Sequence, residues 1–168
     1  MTCSITPSDI PVKKQPGVYR SRMSVYPAAA NKHHKRYGDV AEKIVAVALP
    51  ILKQKLDLPP GLKIRLASMK GQWNGRYNAA AKTAVIDYIG SKKTILEMLC
   101  HELVHAEQYH QGRLENRRVA GKWVSYWNGQ QVRAAYRERP YEKEAYDRQV
   151  LLADMVINTI GLEKWCSI

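Results

Sequence analysis

The chain has 168 residues, 45% hydrophobic and 25% charged, which is the balance of a globular domain with length enough for one real core. Its formal charge of +12 and pI near 9.7 predict attraction to polyanions, whether nucleic acid, an acidic protein surface or an anionic membrane face. No run approaches the ~20 apolar residues of a membrane span, and three widely spaced cysteines, Cys3, Cys100 and Cys166, exclude a disulfide framework and a Cys-x-x-Cys zinc site.

Residues 1–37 read as a basic arm, separate from a folded domain over residues 38–168. Pro7, Pro11, Pro16 and Pro27 punctuate the arm, Lys13, Lys14, Arg20, Arg22, Lys32, Lys35 and Arg36 charge it, and apolar periodicity is missing. A polyanion, nucleic acid or acidic protein, is the partner such an arm suits. Met1 to Arg20 lacks the apolar stretch of about 7–15 residues that marks a secretory signal. The expected location is therefore cytoplasmic, with virion association an option. On a helix the adjacent His33 and His34 would diverge, so both are read as solvated.

From Gly38 the pattern changes. Ala41, Ile44, Val45, Ala48, Leu49, Leu52 and Leu56 recur at helical spacing, with Asp39 near the positive end of the helix dipole. Pro50 is expected to bend this helix, and Pro59-Pro60-Gly61 to end it. Leu62 to Ala67 alternates apolar and basic residues with the period of a half-buried strand. Turn signals at Lys70-Gly71 and Asn74-Gly75 follow. Arg76-Tyr77-Asn78 is a short second strand, and Lys82 to Tyr88, rich in β-branched residues, a stronger third.

Gly90-Ser91 then opens the stretch that carries chemistry, Cys100-His101-Glu102-Leu103-Val104-His105. Ile95, Leu96, Leu99, Leu103 and Val104 make it an apolar helix. Thr94 and Glu97 have the spacing of a capping box at its start, and Gly112 follows its end. Residues four apart share one helix face, so His101 and His105 can offer two imidazoles to one metal ion. Glu102 sits beside them, free to handle a proton. Zinc suits such a site, because three protein ligands leave a fourth position for water, whose pKa falls to about 7. Cys100 is expected to face the core.

Arg113 to Ala120 is basic and polar, with no regular pattern. Lys122 to Trp127 reads as a strand, Asn128-Gly129 as a tight turn, and Gln130 to Val132 as the returning strand. Trp123, Tyr126 and Trp127 either line a groove or stabilise this hairpin. Pro140 suits a first helical turn, acidic residues follow it, and Ala145, Leu152, Met155, Val156 and Ile160 form the apolar stripe of a last helix closed by Gly161.

Two histidines need a third ligand. His110, five residues past His105, turns off the shared face, and Glu107 points away. A carboxylate from the last helix, packed against the first, would complete the set.

At this point the sequence resembles the gluzincin zinc metallopeptidases, which carry His-Glu-x-x-His on one helix and a glutamate on a later one. His101, Glu102 and His105 match the first motif. Glu142-Lys143-Glu144-Ala145 looks like the second, in a register that selects Glu142 as zinc ligand, with Glu144 the alternative. The resemblance covers about residues 62–160 and is nearest to small bacterial and phage peptidases. It implies an α+β, zincin-like fold, with a small mixed or antiparallel sheet on the active-site helix between an N-terminal and a C-terminal helix. It further implies Zn2+, a protein or peptide substrate, Glu102 as general base, and Tyr136 or Tyr141 as donor to the oxyanion. Tyr146 stands where many relatives have Asp or Asn, leaving Glu144 or Asp147 to support the first histidine. Two other readings remain. SprT-like proteases, basic and active near DNA, share the first motif but take a third histidine, and none follows His110. A virion or nucleic-acid-associated component on a zincin fold, with little turnover, would use the arm for docking.

Overall fold

The computed structural model describes residues 32–69 and 75–168. They form a mixed α+β arrangement of four α-helices and two small three-stranded sheets. Residues 1–31 of the expected arm, the side chains of His33 and His34, and Lys70 to Asn74 of the expected turns lie outside the described residues.

Helix α1 spans Lys32–Lys55 and so starts ahead of Gly38, taking in the basic end of the segment read as an arm. Lys and Arg are good helix formers, and a single glycine inside a helix costs only about 1 kcal/mol. Ala41, Ile44, Ala48 and Leu52 are its buried stripe, and the helix continues through Pro50.

The first sheet contains β1 (Lys63–Ala67), β2 (Gly75–Asn78) and β3 (Thr83–Asp87), in the order β1-β3-β2. The central strand β3 runs parallel to β1 and antiparallel to β2, with Gly75 opposite Ile86 and Tyr77 opposite Ala84. The β-branched run that marks β3 in the sequence belongs to the strand flanked on both sides, and its Ala84 and Ile86 enter the core.

Helix α2 (Lys92–His110) is buried almost all round, from Ile95 to Gln108 apart from Glu97, as befits a central helix. Its cap is Ser91 and not Thr94. Ser91 is extended at φ −69° and ψ 155°, and its hydroxyl accepts from the Thr94 backbone N–H at 3.1 Å. Thr94 is thus already inside the first turn, and Glu97 reaches Lys93 instead of closing a box.

The second sheet is antiparallel, with β4 (Leu114–Val119), β5 (Lys122–Trp127) and β6 (Gln130–Gln131) in that order. Asn128 and Gly129 have φ of 48° and 79°, the pair of positive values that a two-residue hairpin turn requires. A 3-10 turn at Tyr136–Glu138 leads into α3 (Pro140–Ile160), which begins on Pro140 and ends at Gly161 with φ 83°, and α4 (Leu162–Ser167) follows.

One core joins α1, β3, α2 and α3 through Ile44, Leu52, Ile86, Leu99, Leu103 and Val156. Cys100 lies within it, and burial pushes its thiol up to about 12. Among the described residues no helix is long and apolar enough to cross a membrane.

Candidate metal centre

The centre is built where α2 packs on the start of α3. The four-residue spacing on α2 sets the His101 and His105 rings edge to face, with centroids 4.7 Å apart and Nε2 to Nε2 3.1 Å. Glu142, in the first turn of α3, directs Oε2 to 3.4 Å from Nε2 of His101 and 3.5 Å from Nε2 of His105. All three side chains are buried. Oε2 has no hydrogen-bond partner, a rare and costly state for a buried carboxylate oxygen. These donors fit a small tetrahedral cation well. With bonds of 2.0–2.1 Å, ligand atoms of tetrahedral zinc lie about 3.3–3.4 Å apart, close to the three separations found here.

Each ring is held from behind. Nδ1 of His105 meets Oε1 of Gln108 at 2.8 Å, and the Gln108 amide donates to the Tyr141 carbonyl at 3.0 Å. With its NH2 committed there, Gln108 presents oxygen to the imidazole. His105 then carries its proton on Nδ1 and leaves Nε2 free to ligate. Nδ1 of His101 meets Oε1 of Gln149 at 2.9 Å, and the Tyr146 ring packs against His101 at 4.8 Å between centroids. The expected supports, Glu144 and Asp147, do not serve this role. Glu144 receives two bonds from Arg113, at 2.6 and 3.0 Å, and one from Arg148 at 2.8 Å.

The electrostatics follow from this packing. Burial works to raise the Glu142 carboxyl, but the His101 and His105 imidazoles facing it, the His105 charge and Tyr136 outweigh it and hold the group at about 2. Glu102 is raised, chiefly by burial, against the pull of the two histidines. The Tyr136 hydroxyl is raised by burial, then by the Glu142 charge and its hydrogen bond to that carboxylate. It therefore stays a phenol and a donor.

The structure brings His101, His105 and Glu142 together, with Glu102 beside them and Tyr136 against Glu142. Tyr141 differs. Its ring lies 6.1 Å from that of His105, but its hydroxyl donates to Ser125 and accepts from Arg139. His110 faces Asp57 at 3.6 Å, and Glu107 is taken up by Arg148 and the Asp57 backbone N–H. Sequence reasoning missed Gln108 and Gln149. The signal was present, since Gln108 follows His105 by one turn, and Glu142, Tyr146 and Gln149 share a face of α3 at helical spacing.

Fold and site together define a class of geometry, in which two packed helices of a mixed α+β chain bring two imidazoles and one carboxylate within reach of a single ion. No family model, curated protein or solved structure matches this chain.

Proposed function

We propose that this chain is a zinc-dependent peptidase of the gluzincin kind on a zincin-like fold, with His101, His105 and Glu142 holding Zn2+. One observation carries the reading: a buried carboxylate oxygen with no hydrogen-bond partner faces two Nε2 atoms at 3.4 and 3.5 Å. A carboxylate in third position, with Glu144 bound up by arginines, favours Glu142 over Glu144 and a gluzincin over a SprT-like site.

Zinc, when bound, supplies Lewis-acid polarisation and makes water easier to deprotonate. Glu102 accepts the proton of the attacking water and delivers it to the leaving amine. Its raised carboxyl is a stronger base than an exposed one and gives the proton up less prematurely. Tyr136, a phenol at neutral pH, donates to the oxyanion that develops on the scissile carbonyl. The Tyr141 hydroxyl is committed to Ser125 and Arg139, so Tyr141 serves in holding the start of α3. Strand β2 is an edge of its sheet beside Glu102, which supports an extended peptide as substrate.

The test separates metal from chemistry. Elemental analysis of the purified protein is expected to give one zinc per chain, lost in His105→Ala. Glu102→Gln is expected to keep the zinc and lose about 10²–10⁴-fold in peptide hydrolysis. A protein that binds no zinc and gains no thermal stability from it would end this reading.

A second reading, of an interaction protein that docks on a polyanion, is favoured by the tip of the β4–β5 hairpin. Arg118, Lys122 and Trp123 are exposed there together, Trp123 at 71%, and the two cations form no ion pair among the described residues.

A further inference from the structure

We infer that Gly75 is a positioning residue for Glu102, its missing side chain being the space that the carboxylate occupies. This rests on the reading of Glu102 as the general base. A Cβ built on Gly75 would lie 2.7 Å from Oε1 of Glu102, 2.9 Å from its Cγ and 3.1 Å from its Cδ. Carbon does not approach oxygen or carbon so closely, so any side chain at this position must move Glu102 or β2.

The reason for glycine here is space and not backbone freedom. Gly75 does not have the positive φ of Gly61, Gly112 or Gly129. It sits in regular antiparallel register opposite Ile86, where other residues are equally allowed. The same strand also holds the carboxylate, because the Tyr77 backbone N–H donates to Glu102. Edge strand β2 therefore meets Glu102 twice, with room at Gly75 and a donor at Tyr77.

Which side gives way decides what a substitution does. Strand β2 is tied along its length to β3, from Gly75 opposite Ile86 to Asn78 opposite Thr83. The contacts on the other side are the outer atoms of one side chain, which can turn about its own bonds. An added methyl group is thus relieved chiefly by turning Glu102, and the effect falls on the proton-transfer geometry. Displacing a reacting group by about 1 Å can cost on the order of 10²-fold in rate.

The experiment uses the full-length, zinc-loaded protein as wild type, Gly75→Ala and Glu102→Ala. Fluorescein-labelled casein is the substrate probe, and the Tyr77 amide cross-peak in a nitrogen–proton correlation spectrum reports the bond to Glu102. Gly75→Ala is expected to lower kcat by about 10–100-fold with KM within about twofold. Zinc affinity and melting temperature should stay at wild-type values, and the Tyr77 amide should shift in the direction seen in Glu102→Ala. An unmoved Tyr77 amide overturns the inference, as does a rate loss matched by loss of zinc or of folding. Should the wild type itself hydrolyse nothing, the peptidase reading fails, while the Tyr77 amide still decides whether Gly75 positions Glu102.

Discussion

Gln108 and Gln149 fix which nitrogen each histidine offers. A glutamine oxygen behind Nδ1 selects the tautomer and the ring angle without adding charge, where a carboxylate would make the imidazole more electron-rich. Removing such a partner typically lowers metal affinity about 10–100-fold. Gln108→Ala and Gln149→Ala are expected to weaken zinc within that range, as read by competition with a chromophoric chelator. Gln108→Ala should be the worse of the two, since its amide also ties α2 to the Tyr141 carbonyl, next to Glu142. Glu144→Gln, engaged with Arg113 and Arg148 and not with either imidazole, should leave affinity unchanged. Equal losses in all three variants would mean that helix packing, and not imidazole support, sets the affinity.

Between elements, the centre depends on α2 and α3 keeping their distance, and a cluster of four charges spans them. Glu107 of α2 pairs with Arg148 of α3, Arg148 with Glu144, and Glu144 with Arg113, which follows α2. Arg113 also stacks over Trp127, linking the second sheet to the cluster. Burial would raise the Glu144 carboxyl, but the hydrogen bonds and charges of Arg113 and Arg148 outweigh it and hold it below the ordinary range. A depressed folded-state pKa stabilises above the unfolded value, about 4.3 for glutamate, and that stability is lost as pH falls through the folded pKa. Urea unfolding of the metal-free protein should therefore find Glu144→Gln weaker than wild type near pH 7, by about 1–3 kcal/mol. The difference should shrink as pH falls below about 4, where wild type loses the contribution that the variant never had. A constant difference down to pH 3 would rule out this ion pairing as its source. The elements joined here were unequally legible. Helix α2, β3, the strand from Lys122 to Trp127 and the Pro140 and Gly161 limits of α3 are written in local pattern: apolar period, β-branched runs, and residues suited to special turns. Strand β4 was not. Of its residues only Leu114 is buried, so polar side chains on both faces hide a strand that exists through backbone pairing with β5. The start of α1 and the short α4 escaped for a related reason, since they hold few core residues to set a period. In the centre, the histidine spacing was visible because a helix repeats locally. The choice of Glu142 over Glu144 came only from a resemblance, and Gly75 beneath Glu102 was invisible because that contact joins distant parts of the chain.

Across the whole molecule the positive charge is uneven. From Arg113 to Arg139, Arg113, Arg117, Arg118, Lys122, Arg133, Arg137 and Arg139 face only Glu115 and Glu138. Some of these charges are spent internally, Arg113 on Glu144, Arg117 on Glu115 and the face of Tyr126, and Arg139 on Tyr136 and Tyr141. Those left exposed and without an ion pair among the described residues are Arg118, Lys122, Arg133 and Arg137. Arg118 sits directly across the ladder from Trp123, and Lys122 is next to it in sequence, so an exposed indole is bracketed by two free cations. If this tip engages single-stranded nucleic acid, its two kinds of contact leave different signatures. Cations on phosphates release counterions, and each contact contributes about 0.7 to the slope of log affinity against log salt. A base stacked on Trp123 contributes about 1–3 kcal/mol that salt does not screen. Titrating a fluorescent oligothymidine over a range of salt should thus find Arg118→Ser with Lys122→Ser shallower in slope by about 1.4. Trp123→Ser should lower affinity at every salt concentration while keeping the wild-type slope. If all three substitutions leave both slope and affinity unchanged, the hairpin is no docking surface, and any polyanion affinity of this basic chain belongs to its other cations.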